Sequence, residues 1–117
     1  MITRSVLAVD LKDDPVLVER YKAHHRQVWP EVRASLRRAG IVEMDIYLLG
    51  RRLVMVVDTD GDYRRCFAKH ATSEPRVVEW EALMRSLQQP PPGAAPDEWW
   101  SLMEPVFSLS SDLSLKS

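Results

Sequence analysis

Ile41-Val42-Glu43-Met44-Asp45-Ile46-Tyr47-Leu48, then Gly50-Arg51-Arg52, then Leu53-Val54-Met55-Val56-Val57, is the stretch that decides the fold. In its first part Val42, Met44, Ile46 and Leu48 alternate with Glu43, Asp45 and Tyr47. A period of two is that of a half-buried strand. Gly50-Arg51-Arg52 reads as a turn. The run after it is apolar on both faces. Two strands joined by a short turn make a hairpin.

Outward from the hairpin, Ser5-Val6-Leu7-Ala8-Val9 reads as a buried strand. Asp13-Asp14-Pro15 then offers an N-cap with proline at the first helical position. Val16, Val18, Tyr21 and His25 follow at near-helical spacing. The residue before Pro30 is pushed out of the α region, so the first helix should end near Arg26. A second helix should run from Pro30 through Val32, Leu36 and Ala39, with Gly40 as its C′ residue. After the hairpin, Asp58 to Asp62 reads as a polar loop. Helical patterns cover about Tyr63–Ala71 and Pro75–Leu87.

Gln88 to Pro96 is rich in proline and reads as an extended crossing segment without helix or sheet. Val106-Phe107-Ser108-Leu109 alternates and is expected to be the last strand. Residues 110–117 are expected to be a frayed tail on a single domain of residues 1–117. The order β, α-α, β, β, α-α, β reduces to βαββαβ, a ferredoxin-like α+β domain with an antiparallel sheet and helices on one face. The other sheet face needs a cover. A second copy of the chain, forming a dimeric α+β barrel, is the simplest one.

The chain's 117 residues suit one domain, and 45% apolar content suits a packed core. The net charge is −1, and the basic pairs Arg37-Arg38, Arg51-Arg52 and Arg64-Arg65 are scattered. That argues against nucleic acid or an anionic membrane as a partner. Cys66 is the only cysteine, so no internal disulfide can form. It reads as a buried or half-buried structural thiol. The apolar run at the N-terminus is too short for a signal peptide or a membrane span, which makes the cytoplasm the expected location.

No Gly-rich phosphate loop, G-x-S-x-G elbow or Cys/His metal spacing is present. His24 and His25 are adjacent, and on a helix they point about 100° apart, so they cannot chelate one metal together. His24 and His70 read as exposed or capping residues. Glu31, just inside a helix start, reads as a capping or dipole partner. Tyr21, His25 and Trp29 remain, spaced four apart. A phenol, an imidazole and an indole in line suit a sugar site. The indole covers C–H groups, the phenol binds a hydroxyl and the imidazole exchanges protons near neutrality. The same spacing also fits a helix face packed into the core. Trp80, Trp99 and Trp100 fit core or pocket equally.

Tyr21-Lys22-Ala23-His24-His25-Arg26-Gln27-Val28-Trp29-Pro30-Glu31 resembles the Y-x-x-x-H-x-x-[IV]-W-P-E signature of the L-rhamnose mutarotase family. Ile46-Tyr47-Leu48, Trp80-Glu81-Ala82-Leu83-Met84 and Met103-Glu104-Pro105-Val106-Phe107-Ser108-Leu109 continue the resemblance in order. It implies a ferredoxin-like homodimer that needs no cofactor. The implied function is an isomerase of carbohydrate metabolism that swaps the anomers of a 6-deoxy-L-sugar. It makes His25 the proton donor to the ring oxygen and Tyr21 and Trp80 sugar-binding residues. Glu81 stands where rhamnose enzymes carry a second tryptophan, and Met44 where they carry a tyrosine. Together with Trp29 these two complete the expected pocket. Met44-Asp45-Ile46-Tyr47, Gly50-Arg51-Arg52-Leu53 and Glu79-Trp80-Glu81 resemble the branch associated with L-fucose. L-Fucose is therefore the expected substrate, with L-rhamnose as the alternative. A non-catalytic ligand-binding or monooxygenase-like barrel is the reading of another class, since one fold serves many functions.

Overall fold

A computed structural model describes residues 1–110. Its elements in chain order are β1 (Ile2–Leu11), α1 (Pro15–Arg26), α2 (Pro30–Arg38), β2 (Ile41–Leu49), β3 (Arg52–Asp60), α3 (Tyr63–Ala71), α4 (Pro75–Leu87), β4 (Gln88–Gln89) and β5 (Ser101–Leu102). The sheet runs β2-β3-β1-β4, all pairs antiparallel, and β5 also pairs with β1. This is the βαββαβ order expected from the sequence.

The hairpin forms as its pattern predicts. Leu49 pairs with Arg52, leaving Gly50 and Arg51 as a two-residue turn. Gly50 has φ 62°, which tight hairpin turns ask of their first central residue. A bulge between Ile41 and Glu43 shifts the alternation, so Val42 is exposed while Met44, Ile46 and Leu48 face the helices. Leu53, Met55, Val57 and Thr59 of β3 and Leu7, Val9 and Leu11 of β1 face the same way and are buried. The opposite face carries half-buried Val6, Val54 and Val56 and exposed Tyr47, flanked by the ion pairs Arg4–Asp58 and Arg52–Asp10.

The helix ends follow their local chemistry. Asp14 caps α1 by accepting from the Val16 N–H at 2.9 Å, and Pro15 opens the helix. The chain leaves α1 at Gln27 and restarts at Pro30 with Trp29 as an N-cap that makes no side-chain bond. Gly40, φ 103°, turns the chain from α2 into β2. Cys66 is buried, as expected.

Three expectations need correction. Asp58–Asp60 continues β3 because Ile2–Arg4 of β1 pairs alongside it; only Gly61 and Asp62 form the loop. Gln88 and Gln89 do form sheet: they leave α4 alongside Leu11 and Asp10, at an open edge of β1. Two residues are too few to show a periodicity, and Pro90 ends the ladder by lacking a donor. Val106–Leu109 is not a strand. Pairing with β1 ends at Ser101–Leu102 and the Met103 N–H bond to the Val6 carbonyl at 2.8 Å. Pro105 lacks the N–H a further ladder would use, and Val106, Phe107 and Leu109 are exposed. The expected frayed tail, beyond Ser110, lies outside the described residues. No helix among the described residues is long and apolar enough to cross a membrane.

Candidate active site

The helix-covered sheet face does not close completely against its helices. A cavity of about 450 Å³ remains, walled by α1, α3, α4, the sheet and the segment before β5. That volume lies in the range of small-ligand pockets. Tyr21, His25, Met44, Trp80 and Glu81, all named from the sequence, line it. Trp29 does not. It stands behind Trp80, ring centroids 5.1 Å apart, with the Arg76 guanidinium 3.7 Å over its other side. It packs the wall and does not form its surface.

Tyr21 and His25 lie one turn apart on α1, and their rings stack at 4.1 Å. His25 Nδ1 donates to the Tyr21 backbone carbonyl at 2.9 Å. A carbonyl can only accept, so this bond places the proton on Nδ1 and leaves the lone pair on Nε2. No partner of Nε2 is found among the described residues. The rings of Trp80 and His25 meet edge-to-face, their centroids 5.5 Å apart. Burial lowers the proton affinity of His25 below the ordinary value, and neighbouring His24 adds to this; the Tyr21 carbonyl works the other way. His25 therefore rests as a neutral imidazole with one basic nitrogen. Burial raises the Tyr21 phenol well above its ordinary range. The Gln88 amide opposes this, and the charge of Glu81 reinforces it. Tyr21 thus remains a neutral hydroxyl, able to donate and accept hydrogen bonds.

The sequence reading missed the far wall. His70, expected at the surface, is 2% exposed. It lines the cavity between Ser35 Oγ, 2.8 Å from Nδ1, and Glu81 Oε1, 3.2 Å from Nε2. Its position was legible: Tyr63, Cys66, Phe67 and His70 follow the i, i+3, i+4, i+7 spacing of a core-facing stripe. Trp99 and Trp100 also line the cavity, and the Trp99 indole donates to Gln88 Oε1 at 2.9 Å. His24 is half-buried, its ring in an edge-to-face contact with Trp80. Glu31 sits in the first turn of α2 but makes no capping bond; its Oε2 lies 3.9 Å from Arg76. A second depression of about 300 Å³, between α2 and β2, also borders His25, Met44 and Ile46. Among the described residues, no group of three or more His, Cys, Asp or Glu side chains is placed to hold a metal ion.

Residues 4–109 match the family model for L-rhamnose mutarotase. The chain belongs to the L-rhamnose mutarotase family. It is a sugar mutarotase, and hence an isomerase. An L-fucose mutarotase of Xanthomonas campestris pv. campestris is 41% identical over 116 residues, covering 97% of this chain and 93% of that one. A UPF0734 protein of Dictyostelium discoideum is 39% identical over 107 residues, covering 87% and 86%. Among solved structures, an L-rhamnose mutarotase of Formosa agariphila superposes with a TM-score of 0.63 at 22% identity, covering 92% of this chain and 98% of that one. The tetracenomycin F2 cyclase of Streptomyces glaucescens does so with 0.60 at 14% identity, covering 94% and 99%. The cyclase shares the fold and carries no argument about chemistry. Within the family, the indole wall of Trp80 and the basic nitrogen of His25 are the features that suit a pyranose.

Proposed function

We propose that the chain interconverts the α and β anomers of L-fucose, with His25 as the proton-transfer residue. The observation that carries this is the His25 ring in the cavity, its Nδ1 tied to the Tyr21 carbonyl and its Nε2 free beside Trp80. Opening a pyranose removes a proton from the C1 hydroxyl and delivers one to the ring oxygen. Rotation about C1–C2 and closure then yield the other anomer. A placed acid or base contributes about 10²–10⁴-fold to such a transfer. The reaction moves protons only, so the proposal invokes no electron or group carrier.

The sense of the first transfer differs from the sequence expectation that His25 protonates the ring oxygen. A half-buried ring resting neutral begins as an acceptor. In this proposal Nε2 takes the C1 hydroxyl proton on opening and returns it on closure. Tyr21 holds a sugar hydroxyl, while Trp80 and Met44 cover the C–H faces and the C6 methyl. Trp29 acts through Trp80.

L-Fucose is preferred because Glu81 puts a carboxylate into the wall at the position where the resemblance expects an indole in rhamnose enzymes, and because of the identity to the L-fucose mutarotase. Polar partners left unmatched discriminate strongly between hydroxyl configurations. L-Rhamnose is the second reading, favoured by the family model. Saturation exchange between α and β anomeric protons by NMR, run on L-fucose, L-rhamnose and L-galactose, tests both. The expected order places L-fucose first. Faster exchange of L-rhamnose would reverse the assignment.

We further propose a homodimer joined through the open sheet face. Half-buried Val6, Val54 and Val56 and 62%-exposed Tyr47 make it an apolar surface the helices leave uncovered. Light scattering should return twice the chain mass, and Tyr47→Asp should lower it. The buried free thiol of Cys66 suits a reducing compartment, which supports a cytoplasmic location. One continuous sheet and a family match over residues 4–109 support a single domain.

A further inference from the structure

The wall opposite α1 holds a polar network that the mechanism above leaves unused. Ser73 Oγ donates to the His70 carbonyl at 2.8 Å. Ser73 Oγ also lies 2.7 Å from Ser35 Oγ, and Ser35 Oγ lies 2.8 Å from His70 Nδ1. His70 Nε2 lies 3.2 Å from Glu81 Oε1. Glu81 lines the cavity with its side chain 38% exposed, whereas His70 is 2% exposed.

The protons of this network can be counted. Each serine hydroxyl has one to give. That of Ser73 goes to the carbonyl, which can only accept. The Ser35–Ser73 contact must then use the Ser35 proton. This leaves Ser35 Oγ as an acceptor toward His70, so Nδ1 must carry a proton. The contact between Nε2 and Glu81 needs one more. All four contacts are satisfied only when the His70–Glu81 pair holds two protons, as an imidazolium facing a carboxylate. With one proton fewer, two acceptors face each other in a buried site, which is costly.

We propose that Glu81, supplied by His70, is the second proton-transfer group of the mutarotation; this rests on the function proposed above. As His25 Nε2 takes the C1 hydroxyl proton, the electron pair of the O1–H bond forms the second C1–O1 bond of the carbonyl, and the bond from C1 to the ring oxygen breaks with its pair left on that oxygen. The proton on His70 Nε2 passes to Glu81 Oε1 and on to the ring oxygen. His25 becomes an imidazolium, the His70–Glu81 pair is left with one proton, and the sugar is the neutral open-chain aldehyde. On closure the ring hydroxyl proton returns through Glu81 to His70, and His25 gives its proton to the new C1 hydroxyl. Nothing is consumed. The one-proton state of the pair has an unmet buried contact, which favours return of the proton and so closure. Glu81 is the catalytic residue of the pair. His70 is the positioning residue that holds it and supplies its proton.

Two measurements test this. In protein labelled with ¹⁵N-histidine, the His70 ring should show both nitrogens protonated at pH 7, and Glu81→Gln should return the ring to the neutral form. A neutral His70 in the wild-type protein overturns the proposal without reference to activity. In anomer exchange of L-fucose, Glu81→Gln can offer its amide N–H to the neutral His70 ring but cannot carry the proton. Its kcat should fall 10²-fold or more with KM within about threefold. His70→Gln should show the same split. Unchanged kcat in Glu81→Gln, or a loss confined to KM, removes the relay while leaving His25 and the mutarotase reading intact. Wild-type protein that exchanges no sugar anomers removes both.

Discussion

The Nδ1–H of His25 points at the carbonyl of Tyr21, 2.9 Å away and one helical turn back along α1. The bond spans one turn of α1 and so forms with the helix. It decides which ring nitrogen meets the cavity, and from that follow two predictions.

The first concerns pH. Burial holds the proton affinity of His25 below its ordinary 6.5. The unfolded chain therefore binds this proton at higher pH than the folded one. Stability linked to His25 is full above about pH 6.5 and is lost as pH falls from there toward the folded value. Activity should hold through neutrality and fall on the acid side, with a midpoint below 6.5, because only neutral Nε2 accepts a proton. Parallel profiles of exchange rate and melting temperature would check this. A midpoint above 6.5 would contradict the neutral resting ring.

The second is the direct substitution. His25→Ala should keep the fold, since the ring is only half-buried and its one hydrogen bond is to a backbone carbonyl. Exchange should slow by about 10²–10⁴-fold. Circular dichroism and anomer exchange on the same sample separate the two effects. A variant as fast as the wild type would remove His25 from the mechanism.

Substrate choice should respond to Glu81. Glu81→Trp replaces a carboxylate by an indole at the cavity wall, and the ratio of L-fucose to L-rhamnose exchange should move toward L-rhamnose by tenfold or more, the scale of one lost polar match. An unmoved ratio would place the selectivity elsewhere, in Met44 or in the segment carrying Trp99.

Gly40 offers a test of the fold alone. Its φ of 103° disfavours any side chain, and an added Cβ would stand 3.1 Å from Cys66 Sγ. Gly40→Ala should cost about 1–3 kcal/mol. Urea unfolding of the two proteins measures the difference, and an unchanged midpoint would mean that α2 and α3 yield more readily than their packing indicates.

Much of this was legible in the sequence because the patterns were long. The hairpin, β1 and the four helices each carry many residues of one period or a capping signal such as Asp14-Pro15. Short elements were not legible. Gln88–Gln89 becomes sheet only because β1 offers an edge there, a tertiary fact with no local signature. Val106–Leu109 alternates as a strand does but finds no ladder to join. In the site, α1 showed its chemistry through the spacing of Tyr21 and His25. His70 hid because each member of its network sits on a different segment. Ser35 lies on α2, Ser73 just after α3 and Glu81 on α4, so only the folded chain brings them together. Trp29 misled for the opposite reason, since its place in line with Tyr21 and His25 was real but the break at Pro30 turned it behind Trp80.

Residues 90–100 leave β1 at one point, where Gln88 and Gln89 pair with Leu11 and Asp10, and rejoin it at another, where Ser101 pairs with Ala8. Stapled at both feet to the same strand, this tether can lengthen, shorten or change composition without disturbing the β2-β3-β1 order. A protein built this way can retailor the rim of the cavity while His25 and its helix stay untouched, so swapping the tether between relatives should reshape that rim without a penalty in folding.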